Sequence, residues 1–115
     1  MIDRLEKINE LMKQEVGKLI LKEVDIPLNV LVTVTKAQTS PNLKNSIIYI
    51  TTLPEKAGKD IINELGLRIY DIQKSLNRRL YMKPVPKIEF KIDKQAYAEQ
   101  NIYKLLNKNK GSEEL

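Results

Sequence analysis

The sequence predicts an α+β domain in which one small three-stranded sheet is covered on one face by helices. Two patterns in the 115 residues carry that expectation. Apolar residues recur every three or four positions over several long segments, and three shorter segments alternate between apolar and polar. Prolines and a Ser-Pro-Asn turn separate them, giving the order helix, strand, strand, helix, helix, strand and a terminal helix.

The first helix is expected over Ile2 to Glu23, with Ile2, Leu5, Ile8, Met12, Val16, Leu19 and Ile20 on one face. Gly17 is a mild weakness inside it, costing about 1 kcal/mol against alanine. Pro27 marks the exit. Leu28 to Lys36 is β-branched, with Val30, Val32 and Val34 on one side and Leu31, Thr33 and Thr35 on the other. After the Ser40-Pro41-Asn42 turn, a second strand runs from Ser46 to Thr52, and the short connection implies an antiparallel hairpin.

Pro54 suits the first turn of the next helix, where its missing N–H costs nothing. Ala57, Ile61 and Leu65 repeat at four-residue steps up to Gly66, which is expected to loosen or end that helix. A third helix is expected from Leu67 to Met82, burying Ile69, Ile72, Leu76 and Leu80, and Pro84 and Pro86 stop it. Lys87 to Asp93 alternates cleanly with Ile88, Phe90 and Ile92 inward, and a last helix is expected over Gln95 to Leu106. Residues 1–106 thus read as one domain and 107–115 as a flexible polar tail.

This order resembles a type II KH domain, a nucleic-acid-binding fold whose usual signature is a Gly-x-x-Gly loop between two helices. No Gly-x-x-Gly occurs here: Gly17, Gly58, Gly66 and Gly111 are isolated. The expectation is a KH-like shape without the standard clamp.

Composition excludes several functions. With no cysteine and no histidine, thiolate nucleophiles, disulfides and the commonest zinc ligands and general bases are missing. No Gly-rich phosphate loop is present and no pair of carboxylates stands out as a dyad, so the reading is a non-enzyme with no metal, no cofactor and no small-molecule substrate. No apolar run reaches the roughly 18 residues a membrane span needs, and Met1 to Glu6 reads as mixed-charge helix rather than a leader. A cytoplasmic monomer is expected.

The net charge of +5 is concentrated between Leu67 and Lys91. Seven basic residues (Arg68, Lys74, Arg78, Arg79, Lys83, Lys87, Lys91) face two acidic ones there (Asp71, Glu89), leaving 13 of each sign elsewhere. So local an excess marks a face that neutralises phosphates and releases counterions. Arg68, Lys74, Arg78 and Arg79 on the third helix are the main candidates, the arginines for bidentate phosphate contact. Lys83 and Lys87 bracket the Pro84-Val85-Pro86 turn, either as phosphate contacts or as gatekeepers of an apolar strand. Lys36 and Lys44 extend the surface towards the hairpin or simply solvate it. Tyr70 and Tyr81 could stack bases, but with aromatics at 5% core or half-buried packing is the favoured expectation. Asp71 is expected to pair locally with Lys74 or Ser75.

Several segments taken in order resemble the ribosome-binding factor A family. They are Lys13-Gln14-Glu15-Val16, Val32-Thr33-Val34, Ser40-Pro41-Asn42-Leu43, Ile48-Tyr49-Ile50-Thr51 and Val85-Pro86-Lys87-Ile88-Glu89-Phe90 with Asp93. The family replaces Gly-x-x-Gly by a small residue, any residue and glycine, which kinks two helices; here those positions are Arg68, Ile69 and Tyr70, and Gln73 stands where an arginine is common. Either the kink moves to Gly66 or the helix pair runs on smoothly. The resemblance implies an assembly factor that binds free or immature small ribosomal subunits near the neck and decoding region. It would assist late rRNA maturation by binding alone and leave the mature particle. A different class of function also fits the charge: a basic module that docks an acidic protein partner.

Overall fold

Asp3 opens the first helix, its carboxylate accepting the Leu5 N–H at 3.3 Å. In the computed structural model, which describes residues 3–99, this is α1 (Arg4–Glu23). It is followed by β1 (Leu31–Thr39), β2 (Asn45–Leu53), a 3₁₀ turn (Glu55–Ala57), α2 (Gly58–Arg79) and β3 (Lys87–Ile92), and residues 94–99 are helical. The remainder of the expected terminal helix and the tail expected over 107–115 lie outside the described residues.

The sheet has the order β1-β2-β3, with β1 antiparallel and β3 parallel to β2. In β2 the inward row is Ser46, Ile48, Ile50 and Thr52, all buried, and Ile48 and Ile50 are 0% exposed. Both helices lie on that face, α1 over β1 and α2 over β3, and bury Met12, Val16, Leu19, Ile20, Ile61, Leu65, Ile72 and Leu76 between them. No buried side-chain polar atom among the described residues lacks a hydrogen-bond partner.

The first strand departs from its expected bounds, Leu28 to Lys36. Val30 N–H bonds back to Pro27 O at 3.0 Å in a turn, so pairing starts at Leu31 and continues to Thr39. The register passes from Val34↔Ile50 to Lys36↔Tyr49, which makes Thr35 a β-bulge. An extra residue reverses the alternation, so Val32 and Val34 turn inward before the bulge and Ala37 and Thr39 after it. A strict two-residue period loses the strand at that point.

The helix expected to end at Gly66 runs straight through it. Ile61, Leu65, Ile72 and Leu76 stay in phase on one buried stripe, each worth about 1.5–3 kcal/mol, against the ~1 kcal/mol that glycine costs. No glycine among the described residues has a positive φ, and a Cβ built at Gly66 meets nothing within 4 Å. Gly58 is different: a Cβ there would lie 3.1 Å from Ile92 Cδ1, so its absence lets the start of α2 settle on the sheet. Asp71 has no ion-pair partner among the described residues, and Ser75 instead donates to Glu23 of α1 at 3.1 Å, correcting the expected local pairing.

Asp93 ties three elements together. Its Oδ2 accepts from the bulge residue Thr35 Oγ1 at 2.6 Å, and its Oδ1 accepts the Ala96 N–H at 3.0 Å, capping the helical segment 94–99. Tyr97 then anchors that segment, its hydroxyl accepting the Thr52 N–H at 2.6 Å. Burial alone would raise the Asp93 pKa, but the bonds from Thr35, Ala96 and Gln95 and the charge of Lys36 outweigh it and hold the value below the usual carboxylate range.

Two stability changes are expected from these contacts. Gly66→Ala should raise the unfolding free energy by about 0.5–1 kcal/mol in urea titration, because the new Cβ meets only solvent within a continuous helix. Asp93→Asn should cost about 1–3 kcal/mol at neutral pH. A lowered folded pKa means that the charge-dependent part of this contribution is complete above about pH 4 and is lost as pH falls through the folded value. The gap between wild type and variant should therefore narrow on acidification; a constant gap would show that the charge contributes nothing.

Candidate nucleic-acid interface

Three of the cations expected to bind phosphate gather around the C-terminal half of α2 and the turn after it. Lys74 and Arg78 are exposed on the side of α2 away from Leu76, and Lys83 is exposed in the turn. Lys87 opens β3, and its N–H donates to Lys44 O at 2.9 Å, so the hairpin turn and the Pro-rich turn meet at one end of the sheet. The structure thus brings Lys44 into the same basic end as Lys87. Among the described residues no carboxylate lies within ion-pair distance of Lys74, Arg78, Lys83, Lys87 or Lys44.

The two arginines favoured for bidentate contact are placed differently. Arg79 Nε donates to Glu15 of α1 at 2.9 Å, joining the two helices, and Arg68 Nε bonds Glu64 one turn back at 3.4 Å. Both are partly exposed but already partnered, so the free cations are those one step round the helix. Lys36 lies on the opposite side of the molecule, on the sheet face that carries no helix. Its Nζ stands 4.8 Å from the Tyr49 ring centroid, and register places Lys36, Tyr49 and Lys91 side by side across the three strands. Lys36 is therefore not brought together with the α2 cluster.

Tyr70 and Tyr81 overturn their expectation. Instead of packing, they are 75% and 105% exposed, and Leu67 beside them is 77% exposed. The periodic signal is present in the chain: Tyr70, Lys74 and Arg78 repeat every four residues and so share one helix face. Asp71 lies on this face too, so it is mixed rather than uniformly basic.

Gln73 has a structural role that no local pattern announces. Its Oε1 accepts the Ile88 N–H at 2.9 Å while Nε2 donates to Pro86 O at 3.1 Å. The amide thereby pairs with the outer edge of β3 as a neighbouring strand's peptide group would, and fixes the turn that carries Lys83 and Lys87. An arginine could donate here but has no acceptor for Ile88.

A helix-covered three-stranded sheet in this order, without a Gly-x-x-Gly loop, is a KH-like α+β domain. Within that class the chain belongs to the ribosome-binding factor A family, whose model matches residues 4–106. It is 34% identical to ribosome-binding factor A of Prochlorococcus marinus strain MIT 9215, over 93% of this chain and 85% of that protein. It is 26% identical to the Akkermansia muciniphila protein of the same name, over 90% and 82%. The fold is similar to the crystal structure of ribosome-binding factor A from Thermus thermophilus, with a TM-score of 0.67 at 20% identity over 76% of this chain and 93% of that one. A homology model of the Thermus thermophilus factor, fitted into a cryo-EM map of its 30S complex, superposes with a TM-score of 0.63 at 22% identity, over 77% of this chain and 91% of that model. No helix among the described residues is long and apolar enough to cross a membrane, and none of their acidic residues cluster in a group that could hold a metal ion.

Replacing Gln73 by leucine should leave the Ile88 N–H and Pro86 carbonyl unpaired at a cost of about 1–3 kcal/mol. Amide hydrogen exchange at Ile88 should accelerate in step; unchanged protection there would exclude the edge-pairing role.

Proposed function

We propose that this protein binds free or immature small ribosomal subunits, contacts their rRNA through phosphates and assists late rRNA maturation by binding, without catalysis. The observation that carries the reading is the run of unpartnered cations Lys74, Arg78, Lys83, Lys87 and Lys44 on a member of the ribosome-binding factor A family. Family membership and the 30S complex of the Thermus thermophilus factor support the choice of particle. Arg68 and Arg79 join as secondary contacts once their carboxylate partners are exchanged for phosphate, and Lys36 serves a separate face.

Mechanistically, tighter binding to one arrangement of rRNA than to another is enough to shift its population. A cation cluster at a stiffened turn suits that task, since phosphate contacts fix position and orientation without reading sequence. The protein acts as a monomer in the cytoplasm on this reading, with no cofactor.

Co-sedimentation with free small subunits, mature ribosomes and naked rRNA across a salt series tests it. Wild type should favour free or immature small subunits, with log affinity falling linearly against log salt. Lys74→Glu/Arg78→Glu/Lys83→Glu should abolish the pelleted fraction with the fold intact by circular dichroism. Binding that tolerates salt and survives the triple change would favour an acidic protein partner docked elsewhere.

A further inference from the structure

Phosphate contacts do not account for the two most solvent-exposed tyrosines in the neighbourhood. Tyr81 is wholly exposed in the turn directly after α2, and Tyr70 is 75% exposed on the helix. Each leaves in water a large apolar ring whose burial is worth about 1.5–3 kcal/mol, while Leu80 next to Tyr81 packs into the core. Along α2, Tyr70, Lys74 and Arg78 succeed one another on a single face, about 6 Å apart at 1.5 Å per residue. Lys83 stands two residues beyond Tyr81. Two exposed rings and three free cations, with the acid Asp71 among them, thus follow one another from the α2 face into the turn beyond it.

This interleaving suits one ligand chemistry. Bases in a duplex are hidden in their own stack, and the deep major groove of A-form RNA keeps side chains out. Unpaired nucleotides offer both an open π face for a ring and a phosphate for a neighbouring cation. We propose that the α2 ridge takes an unpaired RNA segment, its bases stacking on Tyr70 and Tyr81 while Lys74, Arg78 and Lys83 hold the flanking phosphates. The proposal rests on the RNA-binding reading above and narrows it from rRNA in general to single-stranded rRNA, bound with little sequence preference. A helical ridge then replaces the missing Gly-x-x-Gly clamp as the backbone-tracking device.

The test uses the full chain, a fluorescein-labelled unstructured oligouridylate and a labelled blunt-ended RNA duplex of equal phosphate number, read by anisotropy. Four proteins are compared: wild type, Tyr70→Ala/Tyr81→Ala, Tyr70→Phe/Tyr81→Phe and Lys74→Glu/Arg78→Glu. Alanine at both positions should weaken oligouridylate binding tenfold or more with an unchanged salt slope, and leave duplex binding as it was. Phenylalanine should restore the affinity. The chain has no tryptophan, so quenching of its own tyrosine fluorescence by the oligouridylate should be seen in wild type and lost in the alanine variant. Wild-type affinity in the alanine variant, or equal losses on both RNAs, would overturn the stacking proposal. If charge reversal still weakened both RNAs, the phosphate reading would survive that result; indifference of both RNAs to charge reversal would sink the phosphate reading itself. Retained oligouridylate binding with lost co-sedimentation on subunits would assign the tyrosines to a protein partner and also defeat the proposal.

Discussion

The parallel pairing of β2 and β3 governs how the second helix and the turns around the sheet are laid out. Two parallel neighbours cannot be joined by a tight turn, so the chain must be carried back along the full length of the sheet before β3 begins. A 22-residue helix spans about 33 Å, close to the roughly 30 Å of the nine-residue β2, and α2 fills that return in one piece. This is why Gly66 does not break it. Stopping at Gly66 would leave Leu76 and Ile72 without the sheet beneath them, a larger loss than one glycine costs in a helix.

The same crossover decides what the surface can do. Because α2 ends where β3 begins, its last turn, the Pro-rich turn and the hairpin turn converge at one end of the sheet, and Lys44, Lys83, Lys87 and Arg78 come with them. Arg78 and Arg79 also oppose the negative end of the α2 dipole, so part of the charge serves the helix. Glu15 takes Arg79 out of the free set and fastens α1 to α2 in the process. Asp93 and Gln73 hold the two ends of β3: Asp93 caps the helical segment beyond the strand, and Gln73 covers the strand's edge at its start. Neither carries the chemistry, yet both place the residues that can.

Much of this is legible in the chain. The helix face of α1, the alternation of β2 and β3, the turn at Ser40-Pro41-Asn42 and the basic stretch from Leu67 to Lys91 arise from local periodicity and composition. Several expectations fail because the rules behind them are too local. Helix propensity alone counts against Gly66, although the apolar stripe on either side of it is in phase. Aromatic residues usually pack, yet the i+4 spacing of Tyr70 to Lys74 puts that ring on the polar face of the helix. The bulge at Thr35 has no local signal, and the carboxylate that its hydroxyl bonds lies 58 residues further on.

The apolar faces of each helix and strand, and hence an α+β domain with a localised positive charge, can be read from the chain alone, because those properties depend on neighbours within a few residues. Which cations are free is settled by contacts between segments far apart in the chain. Arg79 meets Glu15 across 64 residues of chain, while Lys44 joins Lys87 through a strand pairing, and such encounters are set by the sheet order and the parallel crossover rather than by any local pattern.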